Sequence, residues 1–68
     1  MKQGKLYLNS IGRYAIDEQT ELRSGDIVEI SLDGVNWLKT AIEHEISYGG
    51  YYATINPKIS LKGLYCRK

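Results

Sequence analysis

Apolar and polar residues alternate along this chain in short runs, a strand pattern rather than a helical one. In Lys5–Asn9, Leu6 and Leu8 share one face and Lys5 and Tyr7 the other. Arg13–Ile16 places Tyr14 and Ile16 together. The clearest run is Ile27–Leu32, with Val28, Ile30 and Leu32 inward and Glu29 and Ser31 outward. Asp33-Gly34 is a hairpin signal, because both residues tolerate the positive φ of a tight turn. The return strand runs from Asn36 to His44, with Leu38, Thr40 and Ile42 on the core side and Trp37, Lys39, Ala41 and Glu43 facing out. Leu38–Ile46 also admits a helical reading, since Lys, Ala and Glu are helix formers, but it has no N-cap and follows a turn. Tyr51–Ile55 and Leu64–Arg67 complete the set, the last with Leu64 and Cys66 in and Tyr65 and Arg67 out. Ile59–Gly63 is too short for an α-helix and reads as one 3₁₀ turn.

Turns every 8–12 residues in so short a chain predict an all-β domain spanning residues 1–68. The expected form is a small SH3-like barrel of five or six short antiparallel strands, with the 3₁₀ turn before the last. Closure would remove most exposed strand edges. In such barrels the first and last strands pair. An OB-fold would need more residues and an internal helix.

The 68 residues leave no room for a second domain. A small core supplies few walls for a water-excluding pocket, which favours binding on an outer face over catalysis in a cavity. No apolar run has the ~20 residues that cross a bilayer. The first residues are basic without an apolar stretch behind them, unlike a secretion signal. The lone Cys66 favours a reducing, cytoplasmic setting.

The net charge of +1 conceals a division. Residues 1–16 carry Lys2, Lys5 and Arg13 with no acid. Residues 46–68 carry Lys58, Lys62, Arg67 and Lys68, again with no acid. All eight acids lie in residues 17–45. If the ends meet, up to seven cations gather into a basic patch. Lys5, Tyr7, Arg13, Tyr65 and Arg67 would then form a nucleic-acid platform, rings for stacking beside cations for phosphate.

Six Tyr, one Trp and no Phe favour half-wet surfaces. Trp37, Lys39, Tyr48, Tyr51 and Tyr52 are candidates for a protein-binding face, since Trp and Tyr are preferred interface anchors. Catalytic chemistry finds little support. His44 and Cys66 are single, with no third group to orient a nucleophile. No His/Cys pair has zinc-ligand spacing. Asp17, Glu18 and Glu21 lack the alternation of a calcium loop. Glu43 and Glu45 merely share a strand face, and Gly49-Gly50 lacks the Lys-Ser/Thr of a phosphate loop.

Gly12-Arg13-Tyr14, Gly25-Asp26-Ile27-Val28-Glu29-Ile30, Asp33-Gly34 with Trp37, Ile42-Glu43, Gly50-Tyr51-Tyr52 and Leu61-Lys62-Gly63-Leu64 with Arg67 follow one another in an order that resembles a family of short bacterial proteins of unknown function. The resemblance implies a bacterial or phage origin and no assigned activity. Here Val35 and Asn36 separate the Asp-Gly turn from Trp37, and Ala41 stands where a basic residue is common, leaving Lys39 as the cation beside Trp37. The expectation is therefore a non-enzymatic binding module without cofactor or metal. Its ligand is a protein or a second copy, with nucleic acid, or inhibition of a host defence system by a mobile element, as alternatives.

Overall fold

The computed structural model describes residues Met1–Lys68. Eight antiparallel strands form two sheets. β1 (Gln3–Lys5), β8 (Tyr65–Arg67), β5 (Ile27–Ser31), β6 (Leu38–Glu45) and β7 (Gly50–Ala53) lie side by side in that order. β2 (Tyr7–Leu8), β3 (Tyr14–Asp17) and β4 (Thr20–Glu21) make the smaller sheet. The ends of the chain do pair: Gln3 stands opposite Arg67 and Lys5 opposite Tyr65. Lys2 and Lys68 exchange backbone hydrogen bonds of 2.9 Å in both directions.

Leu6 is the corner between the sheets. Its neighbours to one side pair with β8 and those to the other with β3. Its own amide donates to the Leu64 carbonyl at 2.8 Å, and its carbonyl accepts from Gly63 at 2.8 Å. The expected Lys5–Asn9 strand is thus two strands, and Leu8 is turned outward while Leu6 is buried. β1 and β3 approach closely at the fold: a Cβ on Gly4 would stand 3.0 Å from Ile16 Cγ2.

The core fills the space between the sheets. Leu6, Ile16, Leu22, Val28, Ile30, Ile42, Ala53, Leu61, Leu64 and Cys66 form one cluster, with Tyr14, Tyr51 and Ile59 packed at its margin. Val28 and Ile30, Thr40 and Ile42, and Leu64 and Cys66 all point inward as the alternation requires. Leu38–Glu45 is strand, not helix, because each residue from Leu38 to Ala41 pairs with β5. Leu32 and Leu38 fall short of the core, at 74% and 45% exposure; they lie where β5 has ended and β6 begins, at the turn end of the hairpin.

Two expectations need correction. The hydrogen-bonded sheets do not close into a barrel; the ladder is interrupted at Leu6, and β4 does not pair with β7. The 3₁₀ turn lies at Ile46–Tyr48, before β7 rather than before the last strand. There Gly49, at φ 87°, ends it in the left-handed region that glycine adopts without strain. Ile59–Gly63 instead spans the end of one turn and most of a second, closed by Ile59 N–H to the Asn56 carbonyl and Leu64 N–H to the Leu61 carbonyl. The buried Leu61 side chain anchors it to the core.

Ile42→Ala is expected to cost about 2–5 kcal/mol of stability, because Ile42 is wholly enclosed. Leu32→Ser should stay within about 0.5 kcal/mol of the parent. Urea unfolding followed by Trp37 fluorescence separates the two, and equal losses would contradict this account of the core.

Candidate functional site

The five-stranded sheet has one face on the core and one on solvent. Cross-strand register assigns the solvent side, since directly paired residues share a face. One row runs Gln3, Arg67, Glu29, Lys39 across β1, β8, β5 and β6. The next runs Lys5, Tyr65, Ser31, although Ser31, expected to face out, is buried, its hydroxyl bonded to the Asp33–Gly34 turn. Ile27 and Ala41 form a third pair.

At the centre of this face Arg67 makes three interactions. Its Nε donates to Glu29 Oε1 at 2.9 Å and its Nη2 to Glu29 Oε2 at 3.3 Å. The guanidinium carbon lies 4.1 Å from the centre of the Trp37 ring. The forked contact fixes the guanidinium plane, and the plane in turn holds the indole by cation–π attraction. Arg67's hydrogen bonds hold the Glu29 carboxyl below its ordinary range, against the opposing effect of desolvation. Trp37 is therefore half-buried against Arg67 rather than freely displayed.

The Leu32–Trp37 segment delivers Trp37 to this place. Asp33 Oδ1 accepts from the Val35 and Asn36 amides at 2.8 Å each and from Ser31 Oγ at 3.0 Å. Its Oδ2 accepts from the Asn36 side chain at 2.8 Å. Those donors, the Asn36 amide foremost, hold the Asp33 carboxyl well below the usual carboxylate range. Gly34 has φ 79° and lies against the Tyr65 ring, where a Cβ would stand 3.4 Å from the nearest ring carbon. Lys5 Nζ lies 5.1 Å from the centre of the same ring. A shallow depression of about 280 Å³ opens beside Glu29, lined by Ile27, Val28, Glu29, Lys39 and Arg67.

The expected candidates are redistributed. Trp37 and Lys39 join Lys5, Tyr65 and Arg67 on one face, although sequence reasoning assigned them to separate sites. Tyr52 shares that face but pairs with Glu43, six residues along β6 from Trp37, or roughly 20 Å at strand rise. Tyr48 packs edge-on against Tyr52 there, at 4.8 Å between centres. Trp37 and these tyrosines thus do not form one patch. Tyr51 points to the core side and packs edge-on against His44 at 4.7 Å. Tyr7 and Arg13 belong to the smaller-sheet region, with Arg13 3.5 Å from Glu21.

The pooled basic patch is also changed by its surroundings. Lys2 meets Asp17 at 3.7 Å, and Lys68 meets Asp26 at 2.8 Å. With Arg13 and Arg67, four of the seven end cations are paired to acids of the middle segment. Cys66 is buried, and desolvation pushes its thiol up to about 11, away from nucleophilic chemistry. It pairs with Ile30 at the far end of the sheet from His44, so no Cys–His dyad exists. No group of three or more His, Cys, Asp or Glu side chains is placed to hold a metal ion, and no helix is long and apolar enough to cross a membrane. Sequence reasoning missed Glu29, Ile27 and Asp33 as parts of the site. Each looked like an ordinary strand or turn residue until the β5–β8 register and the turn geometry gave it partners.

A family model described as Domain of unknown function (DUF5348) matches residues 4–68. The chain belongs to the DUF5348 family. No curated protein and no solved structure matches it. The match takes in every residue of the Trp37–Arg67–Glu29 cluster together with Lys5 and Tyr65. In this DUF5348 domain these five residues come from three strands, β1, β5 and β8, and from the turn before β6.

Arg67→Ala should leave the fold intact, move Trp37 emission to longer wavelength and raise its quenching by iodide. Unchanged emission would show that the stack does not shield the indole. The Asp33 carboxyl has a folded pKa below its unfolded value of about 3.9. Its stabilisation is complete above that pH and is lost as pH falls toward the folded value. Thermal melts from pH 6 to 2 should show this loss, and Asp33→Asn should lower the pH 6 melting temperature and flatten the acid slope. An equally steep slope in the variant would place the acid sensitivity elsewhere.

Proposed function

We propose that this DUF5348 domain is a non-enzymatic binding module that docks a protein partner on the solvent face of its five-stranded sheet, centred on Trp37. The observation that carries this reading is the Arg67–Trp37 stack pinned by Glu29, which holds a large aromatic in one orientation at the surface. A pre-ordered Trp loses little side-chain freedom on binding, and Trp and Arg lead among interface anchors. Tyr65, held between Lys5 and the Gly34 turn, extends the same rigid surface. Nucleic acid fits less well, because Glu29 and Glu43 share the face and most of the end cations are already matched with carboxylates.

The test uses the intact chain as bait for photo-crosslinking, with Trp37→Ala and Tyr7→Ala as variants and circular dichroism as the check on folding. A partner identified with the parent should bind Trp37→Ala more weakly by about 2 kcal/mol or more. Tyr7→Ala, on the other sheet, should bind as the parent does. Equal binding by a folded Trp37→Ala would overturn the reading. So would partners consisting only of nucleic acid, with affinity falling log-linearly with salt.

A further inference from the structure

The two cations on the docking face that no carboxylate claims specify its partner. Arg67 is spent on Glu29, whose two oxygens both accept from it. Lys5 lies over Tyr65 and forms no ion pair, and Lys39 is exposed beside the already neutralised Glu29. Glu43 and Glu45, which share this face by alternation, lie toward the far end of β6, where Glu43 pairs with Tyr52. Around Trp37 the face therefore presents two cations without an ion-pair partner, Lys5 and Lys39, and one carboxylate without one, Asp33, whose oxygens are occupied by the Ser31, Val35 and Asn36 donors of its own turn. Lys5 and Lys39 are three strands and two residue levels apart, roughly 16 Å at standard sheet spacings. An extended segment covers that span in about five residues. The depression lined by Ile27 opens at the Lys39 end of the span, with the hydrocarbon of Ile27 largely exposed.

We propose, building on the docking-face reading above, that the partner is an acidic extended peptide segment. It carries two carboxylates four or five residues apart, one for Lys5 and one for Lys39, and an aliphatic or aromatic side chain that enters the depression beside Ile27. A nucleic-acid strand presents a charge at every residue and an uninterrupted row of cations would suit it. Here Glu29 and Glu43 interrupt the row. A small-molecule anion would engage one lysine and leave the other idle.

Panning the full-length chain against a random linear dodecapeptide display library tests this without naming a partner in advance. Enriched peptides are synthesised, and their binding is mapped by NMR on the Ile27 methyl groups and the Trp37 indole. Enrichment of sequences with paired Asp/Glu at the stated spacing flanking an apolar residue is the expected result. Lys5→Glu and Lys39→Glu should each weaken these peptides at least threefold, and the double variant at least tenfold. Affinity should also fall between 50 and 500 mM salt. Peptides that map to this face but are neutral or basic, or that ignore both lysine reversals, overturn the acidic-segment inference and leave the docking face standing. If no peptide perturbs Ile27 or Trp37, both the inference and the docking-face reading fail. A single-stranded oligonucleotide run in parallel and perturbing the same residues more tightly than any peptide overturns both in favour of nucleic acid.

Discussion

The antiparallel pairing of the first and last strands governs the rest of this structure. β8 is the final strand in sequence, yet it lies inside the sheet, between β1 and β5. One side of that short ribbon supplies Cys66 to the core and the other supplies Tyr65 and Arg67 to the solvent face. Its placement brings Arg67 against Glu29 and under Trp37, three residues drawn from separate parts of the chain. Without β8 in place, Glu29 would be an isolated surface acid and Trp37 an unsupported ring at a hairpin tip. Such pairing is non-local, and its loop-closure entropy is recovered only once most of the chain is in register.

The charge pattern serves that register. Basic ends and an acidic middle would repel within themselves and attract each other, and the folded chain realises the attraction as a set of pairs. Lys2 meets Asp17, Arg13 meets Glu21, Arg67 meets Glu29 and Lys68 meets Asp26. Each exposed pair contributes only about 0–1 kcal/mol. Their collective effect is selective: a slip of β8 by one residue would exchange Arg67 for Cys66 on the outer face and turn a cation into the core. The segregation thus stands as insurance against misregistration, with Lys5 and Lys39 left over for other use.

Much of the fold was legible from alternation alone. Val28, Ile30, Thr40, Ile42, Leu64 and Cys66 face inward as their spacing requires, and the pairing of the ends follows from all-β economy in a short chain. What escaped was non-local or depended on where a sheet stops. Leu6 and Leu8 alternate correctly, yet the chain changes sheets between them and only Leu6 is enclosed. Leu32 and Leu38 continue the apolar alternation into the turn end of the β5–β6 hairpin, where they stay exposed. Trp37, Lys39, Lys5, Tyr65 and Arg67 were each recognisable as surface chemistry. Their union into one site could not be read, because cross-strand register is not encoded in local spacing. Tyr48, Tyr51 and Tyr52 lie away from Trp37 because the register sets Tyr52 opposite Glu43 and Tyr51 opposite His44, which local spacing does not encode.

The face that results has a distinctive combination of stiffness and shallowness. Arg67 is anchored by Glu29, Trp37 packs on Arg67, Tyr65 lies between Gly34 and Lys5, and Asp33 ties the turn, so both half-buried rings have packed neighbours before any ligand arrives. A small ligand gains affinity by being enclosed, and most of its surface must leave water. An open depression of about 280 Å³ on a sheet cannot enclose one. An extended chain does not need enclosure, because it accumulates many modest contacts along its length and profits most when the surface beneath is already ordered. The packed aromatics lie at the centre of the face, with Lys5 and Lys39 at either end. In the proposed docking the rings and the Ile27 depression would supply desolvation and fit, and Lys5 and Lys39 would align a complementary charge pattern.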